Sequence, residues 1–242
     1  MIVTTEQCTV VSITQNPIAL IERAGRVCYK SEDKTCPGSG VKLVTKLIES
    51  GHESVLEHAN MTVKVVCDRG ISHEIVRHRL ASYSQESTRY VTYDTGAVIL
   101  PIFDDSSGNV PLDEQIGFDL LAGEGAFADL YTRLTSIELR WLFACLNDMR
   151  TYQTQIIDGV APQMARANLP TCLKTEIFIT MNMREWRHFI LMRGGTGAHP
   201  QVALIADAIY RYLYSVNPVL VKNRVIQKPL PDCRIIKIKE EL

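Results

Sequence analysis

Positions 77–90 read Arg77-His78-Arg79-Leu80-Ala81-Ser82-Tyr83-Ser84-Gln85-Glu86-Ser87-Thr88-Arg89-Tyr90, a run of guanidinium, imidazole and hydroxyl donors. Only Glu74 and Glu86 lie close by in sequence as anions, so these cations have donors left over. Arg presents a planar fork that binds phosphate and carboxylate bidentately, and a phosphate monoester brings about −1.5 to −2 charge. The stretch therefore suits a phosphate-bearing ligand. The alternative is an exposed helix running into a solvated loop, with its cations facing water. Arg184 and His188 stand four apart and share a face of any helix that starts after Asn182. The segment Arg193-Gly194-Gly195-Thr196-Gly197 lacks the GxxxxGK[ST] phosphate loop, and no GxGxxG follows a strand. Its glycines read as a helix stop and turn.

Composition narrows the function classes. The 242 residues are 46% hydrophobic and 22% charged, enough apolar material for a sizeable core, and Arg outnumbers Lys. A net charge of −1 gives no global field for nucleic acid or an anionic membrane. Together with the lack of a zinc-finger, RRM or helix-turn-helix signature, it argues against a nucleic-acid-binding module. The cysteines Cys8, Cys28, Cys36, Cys67, Cys145, Cys172 and Cys233 form no CxxC, and their odd number points to free thiols in a reducing compartment. No metal site is expected. The opening MIVTTEQCTV lacks a basic, then apolar leader, and no apolar run is long enough to span a bilayer. A cytoplasmic location is the expectation.

The elements that must position these residues follow from periodicity and punctuation. Residues 3–13 read as a strand, and Asn16-Pro17 opens a helix through about Val27. Residues 31–40 are a loop, and 41–50 a helix stopped by Gly51. Met61 to Val66 alternates as a strand, 71–79 reads as a helix, and 104–110 as a loop. A long helix is expected over 126–157, its stripe formed by Leu130, Leu134, Ile137, Trp141 and Cys145, with Gly159 ending it. Pro162 starts a short helix that Pro170 ends, and 171–180 is β-rich. Asn182 caps a helix to about Met192, with Glu185 placed for a capping box, and Pro200 opens a helix to about Val216. Strands and long helices mix without a βαβ rhythm. One domain over 1–242 is expected, α/β of the α+β type, with a mixed, largely antiparallel sheet packed against long helices.

The Arg-rich segment resembles the signature of the flavin-dependent thymidylate synthases, an RHR triplet followed by seven residues and then Ser, here Arg77-His78-Arg79 and Ser87. Ser82, Tyr83, Arg89 and Tyr90 also fit. Gly51-His52-Glu53-Ser54-Val55-Leu56-Glu57-His58 resembles the family's GHxSxxEH block, and Ala165-Arg166-Ala167-Asn168-Leu169-Pro170 its ARxxLP block. Asn182-Met183-Arg184, His188 and Arg193 match its late strand–helix unit, so the resemblance covers about residues 50 to 205.

The resemblance implies reductive methylation of dUMP to dTMP. FAD is the implied cofactor, NADPH its reductant and 5,10-methylenetetrahydrofolate the carbon donor, in a homotetramer with sites shared between subunits. It implies flavin contacts at Ser54, Arg77, His78, Arg79, Gln85, Asn182, Arg184 and His188, with His52 beside flavin and folate. It implies nucleotide contacts at Glu74, Arg77, Gln85, Glu86, Ser87, Thr88, Arg89, Arg166 and Arg193. Arg193 is the implied catalytic residue, a cation stabilising negative charge on the uracil ring; the alternative is a cation complementing a helix C-terminus. Glu74 departs from the commoner Gln, and an anion beside a phosphate is unfavourable, so it is expected to face elsewhere or pair with Arg77 or His78. Gln85 stands where some members have Glu. The flavin-free thymidylate synthase uses a cysteine nucleophile, and no cysteine here has an activated setting. The alternative within the family is an inactive homologue that binds flavin and nucleotide.

Overall fold

The computed structural model describes residues 1–94, 96–103, 116–117, 134–231 and 234–241. The chain opens with β1 (Ile2–Thr4) and β2 (Gln7–Ile13) rather than the single strand expected over 3–13. Thr5 and Glu6 break it, because Glu6 turns inward, 2% exposed, to accept a hydrogen bond from Gln201. The expected helix from Pro17 is α1 (Pro17–Val27), whose cap Asn16 accepts from the Ala19 amide. α2 (Ser39–Glu49) ends as expected at Gly51, whose φ of 74° allows the His52 amide to reach back to Leu47 O at 2.8 Å. A 3₁₀ turn over Glu53–His58 then leads into β3 (Asn60–Asp68).

α3 (Arg69–Ile75) starts under an Asp68 cap, whose Oδ1 accepts from the Ile71 amide at 2.6 Å. It is shorter than the helix expected over 71–79: the chain leaves it after Ile75 and enters β4 (Ala81–Gln85). β5 (Ala97–Ile99) and β6 (Ile116–Gly117) follow; the expected 104–110 loop lies outside the described residues. α4 (Ser136–Ile157) is the long helix, and Leu130 with the rest of 126–133 also lies outside the described residues. Its start is later than expected, since Thr135 has extended backbone (φ −68°, ψ 162°) and forms a complete capping box with Glu138. Such a cap contributes about 0.5–2 kcal/mol. α5 (Pro162–Ala165), β7 (Lys174–Asn182), α6 (Met183–Arg193), α7 (Pro200–Val216) and β8 (Ile238–Glu240) complete the order.

The larger sheet runs β4-β7-β3-β2-β8, antiparallel except for the β2–β8 pair. The fold is thus mixed α/β with a largely antiparallel sheet. β7 lies between β3 and β4, in register from Asn60↔Asn182 to Asp68↔Lys174 on one side and from Ala81↔Met181 to Gln85↔Ile177 on the other. β4 holds the hydroxyl-rich part of the Arg segment in strand geometry, with Ala81, Tyr83 and Gln85 on the half-buried face and Ser82 and Ser84 exposed. A second sheet, β5-β1-β6, joins the first through the Val98–Leu173 bridge.

The main core packs Val63, Val65, Ile177 and Ile179 of the sheet with Ile21, Val44, Trp186, Phe189, Ile205 and Ile209 of the helices. Trp186 is fully buried and donates its indole N–H to Met61 O at 3.1 Å. That side of α6 anchors the helix, while Glu185, His188, Met192 and Arg193 line a cleft. A smaller cluster holds Val3, Val98, Leu142, Leu146, Met149 and Leu173. No helix of the described residues is long and apolar enough to cross a membrane.

Candidate active site

The turn 77–80, between α3 and β4, is pinned from below. The Tyr83 hydroxyl lies 2.9 Å from Ile75 O, which also accepts from the His78 amide, and 2.7 Å from His78 O, sharing its proton between two carbonyls just past the end of α3. Burial, with Glu185 nearby, pushes the Tyr83 phenol up to about 12, so it remains a donor at neutral pH.

His78 points inward and is 7% exposed. Its Nδ1 is 3.0 Å from Glu185 Oε1 and its Nε2 is 3.2 Å from Arg193 Nε. A guanidinium has no acceptor, so Nε2 carries the lone pair and Nδ1 the proton, donated to Glu185. The imidazole is neutral in this arrangement. Burial lowers its pKa and Arg193 adds to that, against an opposing pull from Glu185. Arg193 continues the chain: Nη1 donates to Glu74 Oε2 at 2.9 Å and Nη2 to the Glu74 carbonyl. Glu185, His78, Arg193 and Glu74 thus form one network between α6 and α3. The Glu74 partner is Arg193, not the expected Arg77 or His78.

This also revises the expected capping box at Asn182. Asn182 Oδ1 accepts from the Glu185 amide at 2.9 Å, but the Glu185 carboxylate turns to His78. His78, Glu185 and His188 place ligand-type atoms within 4.8 Å of one another. Both His78 nitrogens are engaged in hydrogen bonds, so the network accounts for the cluster without a metal ion.

Above the network lies a cleft of about 770 Å³, lined by His73, Glu74, Arg77, His78, Arg79, Leu80, Glu185, His188, Met192 and Arg193. Arg77 and Arg79 are exposed, and their guanidiniums have no hydrogen-bond or ion-pair partner among the described residues. The donor set, two free guanidiniums beside imidazoles and apolar Leu80 and Met192, fits a cofactor with a planar ring and a diphosphate.

A second cleft, of about 500 Å³, lies across His73 from the first and is lined by Arg69, His73, Thr88, Arg166, Thr171 and neighbours. Arg166 Nη1 donates to Thr88 Oγ1 at 3.3 Å, which brings together two residues 78 apart in sequence. The Ser87 hydroxyl accepts from the Arg89 amide, and the Arg89 guanidinium lies 5.5 Å from the Tyr90 ring centre. Glu86 accepts from the Tyr93 hydroxyl at 2.6 Å and lies 3.9 Å from Lys174, so its charge is partnered.

The expected residues therefore divide. Glu74, Arg77, His78, Arg79, His188 and Arg193 line the first cleft, and Thr88 and Arg166 the second. Gln85 ends β4, and its side chain donates to Ser72 Oγ at 2.9 Å and Thr175 Oγ1 at 3.2 Å. Ser54, His52 and Arg184 are exposed and line neither cleft; Arg184 pairs with Glu57 at 2.6 Å, and His52 Nδ1 lies 3.5 Å from Ser50 Oγ. Sequence reasoning missed His73, which lines both clefts, and the orienting role of Glu185. His73 adjoins Glu74 on α3, and that adjacency was the available signal.

The thymidylate synthase complementing protein family matches residues 9–219. A flavin-dependent thymidylate synthase of Mycobacterium sp. (strain JLS) is 34% identical over 217 residues, 88% of this chain and 82% of the relative. One from Mycolicibacterium vanbaalenii is 37% identical over 204 residues, 83% of this chain and 76% of the relative. Among solved structures, the flavin-dependent thymidylate synthase ThyX of Helicobacter pylori complexed with FAD and dUMP superposes with a TM-score of 0.69 at 18% identity, over 90% of this chain and 99% of that one. The UMP/dUMP methylase PolB of Streptomyces cacaoi bound with 5-Br dUMP gives 0.68 at 22%, over 90% and 94%.

Proposed function

The chain belongs to the flavin-dependent thymidylate synthases, and on that premise we propose that it methylates dUMP to dTMP with FAD bound in the cleft between α3 and α6. NADPH is the proposed source of reducing equivalents and 5,10-methylenetetrahydrofolate the proposed carbon donor. The observation that carries the reading is the pairing of free Arg77 and Arg79 with an Arg193 that is locked in place.

Bound FAD supplies the electrons of the reductive methylation. Arg77 and Arg79 offer the cofactor's diphosphate two forks that no internal carboxylate occupies. His78 and His188 add imidazole faces, with ring centres 5.4 Å apart. Arg193, oriented by Glu74 and His78, presents a fixed positive charge where negative charge develops on the uracil ring. It is the proposed catalytic residue.

Arg166, Thr88, Ser87 and Arg89 are the proposed phosphate ligands, with the backbone of 85–88. Glu74 and Glu86, although near, are partnered by Arg193 and by Tyr93 with Lys174, so neither opposes the phosphate with a bare charge. No described cysteine lines either cleft; burial pushes the Cys8 thiol up to about 12 and the Cys67 thiol up as well, and Cys172, the one described thiol shifted down, lies against Cys145 rather than in a cleft. This supports a reaction without a protein thiolate nucleophile.

Ser54, Asn182, Arg184 and Gln85 keep their proposed cofactor roles, and His52 its proposed place beside flavin and folate, although none of them lines the cleft between α3 and α6 within one copy. Two clefts that each hold part of the cation set suit a site completed by a second copy, and a homotetramer is the proposed assembly. Exposed Leu80 and Met192 beside the first cleft support burial by a neighbouring copy. The test is the visible spectrum of the purified chain, followed by NADPH, dUMP and methylenetetrahydrofolate. Flavin absorbance, bleaching and dTMP are expected; a chain that gains no flavin on titration overturns the proposal.

A further inference from the structure

Away from the residues assigned above, Cys145 on α4 and Cys172, just ahead of β7, bring their sulfurs to 3.3 Å. Both are free thiols. A disulfide has its sulfurs about 2.03–2.05 Å apart, so bond formation asks for a movement of little more than about an ångström. The backbone at Cys172 is already fixed: its carbonyl accepts from the Ile99 amide at 2.9 Å, and the next amide, Leu173, donates to Pro170 O at 2.9 Å. Cys145 is 3% exposed and Cys172 half-buried, so an oxidant from solvent meets Cys172 first.

The setting distinguishes the two sulfurs. Hydrogen bonds from the Cys145 thiol and the Trp141 indole lower the Cys172 pKa against its partial burial. Donating to Cys172, together with burial, raises that of Cys145. No other described thiol has this arrangement. Cys8 and Cys67 lie deep in the main core, and Cys28 and Cys36 are exposed without a thiol partner.

We propose that Cys145 and Cys172 are a thiol modification site that closes reversibly to a disulfide with a peroxide as oxidant. The Cys172 thiolate attacks one peroxide oxygen, which becomes Cys172–SOH while the other leaves as water after taking up a proton. Cys145 then gives up its proton, its sulfur attacks Cys172 Sγ, and the hydroxyl departs as the second water. Two thiols and one hydrogen peroxide thus become one disulfide and two waters. The bond ties α4 to the segment Leu169, Pro170 and Thr171, which forms a wall of the Arg166 cleft. Thr171 O also accepts from the Gly70 amide, so the clamp reaches the first turn of α3.

The test titrates the reduced, full-length protein with hydrogen peroxide, blocks remaining thiols with N-ethylmaleimide and maps the peptides by mass spectrometry without reductant. A linked Cys145–Cys172 pair, lighter by two hydrogens, is expected at peroxide doses that leave Cys28 and Cys36 alkylated, and dithiothreitol is expected to reverse it. In Cys145→Ala, Cys172 is expected to stop at a sulfenic acid that dimedone traps. Wild-type protein in which Cys145 and Cys172 are still alkylated after Cys28 and Cys36 have oxidised overturns the proposal, and that readout depends on no variant. The oxidised protein is expected to melt higher than the reduced one, because the bond joins neighbours already in place. A lower melting temperature overturns the claim that the native geometry accommodates the bond.

Discussion

Two guanidinium–carboxylate pairs sit at opposite ends of α6, and distance does not tell them apart. Arg184 lies 2.6 Å from Glu57 and Arg193 lies 2.9 Å from Glu74. The Arg184 and Glu57 side chains are 52% and 44% exposed; those of Arg193 and Glu74 are 19% and 36% exposed. Arg193 also donates to a buried imidazole, itself held by Glu185. The position of Arg193 is therefore set by several partners at once, as its proposed role as a transition-state contact requires. Arg184 has one partner in water, a contact worth about 0–1 kcal/mol that a ligand can replace. The lesson is that a cation's place in a network, not the shortness of its ion pair, separates a preorganised group from a recruitable one.

The largest effect is expected at the locked end. Arg193→Ala should lower kcat by roughly 10²–10³-fold while the protein still binds FAD; steady-state kinetics with flavin absorbance check both halves. Arg166→Ala comes next. Losing the proposed charge-assisted hydrogen bond to phosphate, about 1.5–3 kcal/mol, should raise KM for dUMP by roughly 10- to 150-fold with a smaller change in kcat. Glu185→Ala leaves the His78 Nδ1 proton without an acceptor in a buried setting, and should destabilise the fold by about 1–3 kcal/mol, read by denaturant unfolding.

The same imidazole sets a pH dependence. The folded His78 pKa lies below its ordinary 6.5, so below that pH the unfolded chain takes up a proton that the folded chain resists. The stability tied to His78 is fully present above about pH 6.5 and is lost as pH falls from there through the lower folded value. Melting temperatures across that range should decline less in His78→Gln than in the wild type. The smallest effect is expected at the open end: Arg184→Ala should change stability by under about 1 kcal/mol. A large loss there would erase the contrast between the two ends.

Much of this arrangement was legible in the chain itself. Asn16-Pro17, Gly51, Asn182 and Pro200 mark element ends because capping and φ are local properties. The Arg77–Arg79 positions stood out because their donors outnumber the nearby carboxylates Glu74 and Glu86, and Arg193 through the family resemblance. What was hidden depends on tertiary partners. The helix expected over 71–79 stops at Ile75 because β4 pairs with β7, and Tyr83 bonds the Ile75 and His78 carbonyls across the turn. Glu185 reads as a capping residue until β4 and α6 come together and His78 claims it. The Glu74–Arg193 pair joins residues 119 apart in sequence, beyond any local pattern.

The central claim is that this cation network stabilises the uracil ring while the folate carbon is transferred to it, and the bond broken on the ring is C5–H. dUMP tritiated at C5, incubated with the FAD-loaded protein, NADPH and methylenetetrahydrofolate, tests it most directly. Tritium should enter water in step with dTMP in the wild type and fall to near background in Arg193→Ala. Retained flavin with neither tritium release nor dTMP in the wild type would contradict the account.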